Sequence, residues 1–196
     1  ELTYDCEMFK KTFESEFTWL NGFMRNVRRF GYKNAAFDPM SGKIWTYNDL
    51  NRDSNRFANA MKASNVKKSD VVFVQLFNSP QFLFGYIASQ KIGAIFNPAN
   101  FNLSPGETAE IIDHNKPKVY VYDAEIVQTA VDALSLCKHK PEVVIAVNVT
   151  SKEFILPEGH ILYDDYIKDA SIENPPIDFN PYFYDEVVRL QTSGTT

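Results

Sequence analysis

The sequence predicts an α/β fold: a mostly parallel sheet with helices on both faces. Four short apolar segments recur along the chain with helical segments between them, at 71–76, 93–96, 119–122 and 143–147. The first is almost continuously apolar, which is typical of a strand that is covered on both faces. Strands alternating with helices at this spacing are joined by right-handed crossovers and lie parallel. A further strand is predicted over 186–190, after an irregular stretch rich in proline.

The helices between these strands carry start signals that can be read directly. Ser79 stands before Pro80, a combination favoured at the cap and the first position of a helix. Ser104 and Glu107 have the spacing of a capping box. Asp123 is the expected cap of the next helix. These three starts predict one helix before each of the apolar segments 93–96, 119–122 and 143–147.

Ahead of the sheet, the sequence predicts a helix, a hairpin and a second helix. Apolar residues at three- and four-residue spacing from Phe13 to Val27 predict one amphipathic helix. The segments 35–37 and 43–47 flank a turn-rich loop and predict a small β-hairpin near the N-terminus. Asn48 is the expected cap of the helix that follows.

Composition and charge exclude several classes of protein. The 196 residues fit one domain, and 44% apolar with 14% aromatic residues is ample for a buried core. A net charge of -5 gives no general attraction to nucleic acid, and no apolar run approaches the roughly 18 residues of a membrane span. Arg25, Arg28 and Arg29 form a local basic cluster, for which a solvated helix face is favoured over an anion site.

Neither the cysteines nor the histidines form a recognisable metal or redox motif. Cys6 and Cys137 are far apart and not in a CxxC pair, which favours reduced thiols and a cytoplasmic protein. His114, His139 and His160 have no partner at metal-ligand spacing, so we expect no metal site among them.

The strongest candidate for a binding site is the final run of small residues, Thr192, Ser193, Gly194, Thr195 and Thr196. Glycine allows the backbone to approach a ligand, and successive N–H and O–H donors can converge on one anion. On composition alone, such a run is more often a polar tail without a role. Its position after a predicted strand favours a site, because ligands of open α/β sheets collect beyond the carboxyl ends of strands.

Five motifs in order resemble the N-terminal part of an adenylate-forming acyl-CoA synthetase, in a superfamily that also includes luciferases and peptide-synthetase adenylation domains. They are Trp45-Thr46-Tyr47-Asn48-Asp49-Leu50, Asn78-Ser79-Pro80-Gln81-Phe82, Gln90-Lys91-Ile92-Gly93-Ala94 with Asn97-Pro98, Leu103-Ser104-Pro105-Gly106-Glu107 and Thr192-Ser193-Gly194-Thr195-Thr196. Each motif alone is weak, but chance does not readily produce all five in this order. The resemblance covers nearly the whole chain from about Phe17 onward.

The resemblance implies a two-step ligation. A small-molecule carboxylic acid would react with ATP and Mg²⁺ to form an acyl-adenylate and pyrophosphate, and the thiol of coenzyme A would then displace AMP. Thr192, Ser193, Gly194, Thr195 and Thr196 would hold the ATP phosphates through backbone N–H and hydroxyl donors. The run is not the P-loop, whose spacing is GxxxxGK followed by Ser or Thr.

By the same resemblance, residues 1–196 are expected to form an incomplete N-terminal subdomain, with later subdomains and a C-terminal domain beyond Thr196. Catalytic residues are then expected downstream, and the 196-residue chain is expected to be inactive alone. Gln191 stands where the family often has an aromatic residue. Two alternatives remain open: an amino-acid adenylation domain of a peptide synthetase, and a non-catalytic α/β binding module. These residues do not identify the acid.

Overall fold

The computed structural model describes residues 5–150 and 152–191. We number its elements α1 Cys6–Glu16, α2 Trp19–Phe30, β1 Asn34–Phe37, β2 Ile44–Thr46, α3 Tyr47–Ala63, β3 Val71–Gln75, α4 Pro80–Ile92, β4 Ile95–Pro98, α5 Pro105–Asn115, β5 Val119–Asp123, α6 Val127–Leu136, β6 Val143–Val147, β7 Ile161–Leu162 and α7 Tyr163–Ile167. A 3-10 turn, Ala124–Ile126, precedes α6.

Within this described part, the main sheet has five strands in the order β4-β3-β5-β6-β7, and all neighbouring pairs are parallel. β1 and β2 form a separate antiparallel hairpin. The predicted α/β class, parallel sheet and small hairpin are therefore confirmed. The two-residue strand β7 was not predicted, because two residues are too few to show a period.

Helices cover both faces of the sheet, as predicted. Side chains of α3, α4 and α7 pack on one face, and side chains of α5 and α6 pack on the other. Side chains along β5 alternate between the two faces of the sheet. Val119 and Val121 pack in the core formed with α3, α4 and α7, whereas Tyr120 and Tyr122 pack in the core formed with α5 and α6. The sheet is thus the shared middle layer of two cores.

The prediction of one helix from Phe13 to Val27 is wrong, because the structure has two helices there. α1 ends at Glu16 and α2 begins at Trp19. Thr18 caps α2, its Oγ1 accepting a hydrogen bond from the N–H of Asn21 at 3.2 Å. Apolar spacing continues across the break, so periodicity alone does not reveal it.

The expected cap of α3 is also wrong by two positions. Thr46, and not Asn48, is the cap, and its Oγ1 accepts from the N–H of Asp49 at 3.2 Å. Oδ2 of Asp49 accepts from the N–H of Thr46 at 3.0 Å, which completes a capping box. The hydroxyl of Thr46 also donates to Oδ2 of Asp49 at 2.7 Å, and the two bonds from Thr46 hold the pKa of the Asp49 carboxyl group below its usual value.

The predicted caps Ser79, Ser104 and Asp123 are confirmed, with Asp123 capping the 3-10 turn ahead of α6. Gly93, expected at the start of β4, instead ends α4 with φ of 70°. Glycine adopts this left-handed conformation without the steric cost that a side chain adds. No helix in the described ranges is long and apolar enough to cross a bilayer.

Candidate functional site

The described chain ends in an arm, residues 186–191, that runs beside β4 at the edge of the sheet. The N–H of Phe96 donates to the carbonyl oxygen of Val187, and the N–H of Arg189 donates to the carbonyl oxygen of Phe96, both at 3.0 Å. Together they make one parallel bridge between Phe96 and Val188. The prediction of a strand over 186–190 is wrong in extent, because the structure has one bridge there in place of a ladder of hydrogen bonds. The parallel direction of that bridge is the one expected for the sheet.

Side chains, more than ladder bonds, hold the arm in place. Asn97 of β4 is fully buried, and its Nδ2 donates to the carbonyl oxygen of Arg189 at 2.6 Å. Its Oδ1 accepts from Nδ2 of Asn115 at 2.9 Å, and Oδ1 of Asn115 accepts from Nη1 of Arg189 at 3.4 Å. The two amides and the arginine close a ring of hydrogen bonds, which sets the direction in which the arm leaves the sheet.

A second contact comes from α4. Nε2 of Gln90, which is 5% exposed, donates to the carbonyl oxygen of Val187 at 3.1 Å. Arg189 is itself oriented by a two-point pair with Glu186, with both N···O distances at 2.7 Å. The bonds from Arg189 lower the pKa of Glu186, so the pair stays charged near neutral pH.

The loop that follows β4 is anchored from the neighbouring strands. Nε2 of Gln75, at the carboxyl end of β3, donates to the carbonyl oxygen of Asn100 at 3.0 Å and to Oγ1 of Thr108 at 3.3 Å. The hydroxyl of Tyr120 donates to Oε1 of Gln75 at 2.7 Å, and burial raises the pKa of that tyrosine. A buried, fully bonded amide thus fixes the loop beside the arm.

At the carboxyl ends of β3 and of its two neighbours, β4 and β5, the chain turns toward opposite faces of the sheet. The helix after β3 packs on one face, and the helices after β4 and β5 pack on the other. Such a divide leaves a crevice in which open α/β sheets bind ligands. Asp123, at the end of β5, is 1% exposed, and its Oδ2 has no hydrogen-bond partner among the described residues. Burial raises the pKa of this carboxyl group.

The chain reaches the arm through a strap, residues 171–178, which lies along α3. Nδ2 of Asn59 donates to the carbonyl oxygen of Ser171 at 2.8 Å. Nζ of Lys62 donates to the carbonyl oxygen of Pro176 at 3.0 Å. Most of these bonds are made to backbone carbonyls of the strap, and the side chain of Asp178 adds an ion pair with Lys62 at 2.8 Å.

Lys91 connects α4 to α3 from a buried position, with 3% of its surface exposed. Its Nζ donates to the backbone oxygen of Asn51 at 3.3 Å, to Oδ1 of Asn51 at 2.5 Å and to Oδ1 of Asn55. Nδ2 of Asn55 in turn donates to the carbonyl oxygen of Ile172 at 2.7 Å. Burial lowers the pKa of Lys91 to about 7, while the surrounding oxygens favour its ammonium form.

The predicted phosphate-binding residues Thr192, Ser193, Gly194, Thr195 and Thr196 lie outside the described residues. What the structure describes is the arm that leads to them and the side chains that hold it. Gln90 and Asn97 belong to motifs that the sequence singled out, but their role as supports was not predicted. No local pattern marks Asn115, whose partners lie on β4 and the arm.

Fold and site together define an open α/β domain in which an arm runs beside the edge strand of a parallel sheet. Residues 23–196 match the family described as AMP-binding enzyme. This match covers most of the chain, which therefore belongs to the AMP-binding enzyme family.

Two curated relatives illustrate the match. The chain is 26% identical over 173 residues to 4-coumarate–CoA ligase 1 of Arabidopsis thaliana, covering 88% of this chain and 30% of the relative. It is 31% identical over 172 residues to acetyl-coenzyme A synthetase of Yersinia pestis, covering 81% of this chain and 26% of the relative. The chain thus spans less than a third of the length of either relative.

Solved structures confirm the fold. The anthranilate CoA ligase AuaEII, solved in complex with anthranoyl-AMP, superposes with a TM-score of 0.81 at 19% identity, covering 93% of this chain and 33% of that one. A fatty acyl CoA synthetase of Mycobacterium tuberculosis superposes with a TM-score of 0.71 at 22% identity, covering 89% and 32%. At such identities the likeness concerns the fold alone.

Proposed function

We propose that this chain is the N-terminal, nucleotide-phosphate-binding part of an adenylate-forming acyl-CoA ligase. Membership of the AMP-binding enzyme family supports the class of enzyme. Relatives named as CoA ligases support a thiol ester of coenzyme A as the product. The substrate would be a small-molecule carboxylic acid.

The observation that carries this proposal is the support of the arm by Asn97 and Gln90. Arg189 and Val187 are bonded to the sheet edge by two buried amides, three to five residues before Thr192. A run that begins so close to fixed backbone has little freedom in where it starts. Its residues offer hydroxyl and backbone N–H donors and no carboxylate, which is the chemistry that suits an anionic phosphate.

In this proposal Thr192, Ser193, Gly194, Thr195 and Thr196 donate hydrogen bonds to phosphate oxygens and orient them. When bound, ATP supplies the adenylyl group, Mg²⁺ neutralises phosphate charge and coenzyme A supplies the accepting thiol. The residues of this chain contribute position and electrostatic stabilisation, which is the main work of a protein in phosphoryl and nucleotidyl chemistry. A rigid arm matters because donors that are already in place need no reorganisation during the reaction.

The pocket for the acid, the acceptor site and the catalytic residues are assigned to a longer protein of which this chain would be an incomplete N-terminal subdomain. The small share of each relative that is covered supports this assignment. We also propose a cytoplasmic location, which is supported by two free cysteines, Cys6 and Cys137.

The test is pyrophosphate exchange into ATP by the longer protein over a panel of carboxylic acids that includes amino acids. Exchange with simple acids, followed by formation of the coenzyme A thioester, is expected. Exchange with amino acids only would identify a peptide-synthetase adenylation domain instead, and no exchange with any acid would contradict the enzyme proposal.

Ser193→Ala in the longer protein tests the role of the hydroxyl run. Removing one donor from a preorganised oxyanion site commonly costs about 10²–10³ in kcat. Ser135→Ala, which removes an exposed hydroxyl on α6, is the matched control and should leave exchange unchanged. Equal activity of the two variants would argue against the assigned role of Ser193.

A further inference from the structure

Two clefts lie on either side of α2 and share part of their walls. One, of about 390 Å³, lies where α1 meets α2, and the other, of about 430 Å³, lies between α2, the hairpin and α4. Trp19, Gly22 and Arg25 line both. We call the combined feature the α2 trough. Both volumes fall within the range of about 300–1,000 Å³ that is usual for small-molecule sites.

The two halves of the trough are both mainly apolar and differ in the charged groups that they carry. The larger half is lined mainly by apolar side chains, which include Phe23, Ala35, Leu50, Leu83 and Ile87. The smaller half adds Glu16, Thr18, Asn21 and Arg28 to the Arg25 that lines both halves, beside the exposed ring of Phe17. An apolar trough with two arginines toward one end matches a ligand with a hydrocarbon part and an anionic head.

The cationic groups are available for such a head. Arg25 and Arg28 are three residues apart on α2 and are therefore neighbours on its surface. None of the ion pairs among the described residues involves either of them. Glu16 is the acid that lines the same cleft, which leaves an excess of one positive charge. Guanidinium groups bind carboxylate and phosphate with two parallel hydrogen bonds.

The wall that the two clefts share is held by aromatic packing and is still exposed to the trough. Trp19 is 41% exposed, yet its ring stacks on Phe23 at 5.5 Å and meets the ring of Tyr86 edge-on at 4.6 Å. Two aromatic neighbours thus fix a ring that still presents surface to the trough. A Cβ placed on Gly22 would meet nothing within 4 Å, so the space above this glycine is empty.

We propose that the α2 trough binds a single-chain anionic amphiphile, with its hydrocarbon chain in the apolar half and its carboxylate or phosphate head at Arg25 and Arg28. A membrane surface fits less well, because the apolar face of an interfacial helix must insert into lipid. Here Leu20 and Phe23 of α2 are already buried in the protein, at 5% and 7% exposed. This proposal is independent of the proposed ligase function, and its tests need neither ATP nor catalysis.

The test uses the fluorescence of Trp19 in the 196-residue chain. The chain has 2 tryptophans, and Trp45→Phe leaves Trp19 as the single reporter. Brominated dodecanoate quenches indole fluorescence at contact distance, so we expect saturable quenching below the micellar concentration. Calorimetric titration of the unaltered chain with dodecanoate should give the same affinity, which guards against a folding defect in the variant.

Two sets of variants locate the site. Gly22→Leu places a side chain in the shared wall and should weaken binding at least about tenfold, whereas Gly106→Leu, at an open exposed glycine of α5, should not. Arg25→Gln combined with Arg28→Gln should weaken binding of dodecanoate and dodecyl phosphate by about tenfold or more, because charge-assisted hydrogen bonds to the anionic head are lost. Binding of dodecanol, which has no charge, should be unchanged.

Three outcomes would overturn the proposal. One is the absence of both saturable quenching and binding heat. Another is equal weakening by Gly22→Leu and Gly106→Leu, which would remove the trough as the site. The third is sedimentation of the chain with vesicles of phosphatidylserine and phosphatidylcholine while dodecanoate does not bind, which would replace the single ligand by a membrane surface.

Discussion

Nδ2 of Asn97 donates a 2.6 Å hydrogen bond to the carbonyl oxygen of Arg189, which lies 92 residues later in the chain. The same side chain receives a hydrogen bond from Asn115 through its Oδ1. A single buried amide therefore joins β4, α5 and the arm that leads to the proposed phosphate-binding residues. Its geometry positions the arm at Arg189.

Asn97→Leu should destabilise the chain by about 1–3 kcal/mol, because it leaves the carbonyl oxygen of Arg189 and an amide of Asn115 buried without partners. Amide hydrogen exchange at Phe96 and Arg189 should accelerate more than exchange in β5. Asn148→Leu removes a comparable but exposed bond to the backbone of Lys152 and is the control. An arm that exchanges at the same rate in both variants would contradict a supporting role for Asn97.

Lys91→Met should remove a pH dependence of stability. Burial lowers the folded-state pKa of Lys91 to about 7 from 10.5, so the unfolded chain binds more protons between these values. The free energy of unfolding of the unaltered chain should therefore rise from about pH 7 to pH 10.5 relative to the variant, with a slope of at most about 1.4 kcal/mol per pH unit. Below pH 7 lysine is charged in both states, and the difference should be constant.

Denaturant titrations at pH 6, 8 and 9.5 measure this effect, since subtracting the variant cancels other titrating groups. Lys11→Met, at an exposed position of α1, is the control and should change stability equally at all three pH values. Parallel curves for the unaltered chain and Lys91→Met would show that Lys91 keeps its proton when folded.

Gly93→Ala should cost about 1–2 kcal/mol of unfolding free energy. Gly93 has φ of 70°, where a Cβ is strained, and that Cβ would stand 3.0 Å from the ring of Phe179. Gly106→Ala is the matched control: its Cβ meets nothing within 4 Å inside α5, so it should be neutral or stabilising by up to about 1 kcal/mol. Equal effects of the two substitutions on the denaturation midpoint would be evidence against the left-handed end of α4.

Thr18→Ala distinguishes two helices from one. In the structure Thr18 caps α2, and losing its side-chain bond should cost about 1 kcal/mol. In a continuous helix the same change would be stabilising, because alanine is the better helix former. Thr12→Ala, within α1, is the control and should be neutral or stabilising. The sign of the change in thermal midpoint decides between the two arrangements.

Local patterns predicted most of the elements, because they depend on residues within about four positions of one another. The apolar segment that became β3 and the capping box of Ser104 and Glu107 are examples. The error at Thr18 arose because apolar spacing continues from α1 into α2, so that only a side-chain cap marks the boundary.

By itself, the sequence determined the α/β class, the parallel direction of the strands and the hydroxyl run as a candidate site. Only the tertiary structure decided the strand order, the reduction of the last strand to one bridge at Val188, and the partners of Asn97 and Lys91. The physical reason is the range over which the interactions act. Periodicity and capping act between near neighbours along the chain, whereas a buried amide or ammonium group bonds to whichever partner the packed layers bring within hydrogen-bonding distance, here from 18 to 92 residues away.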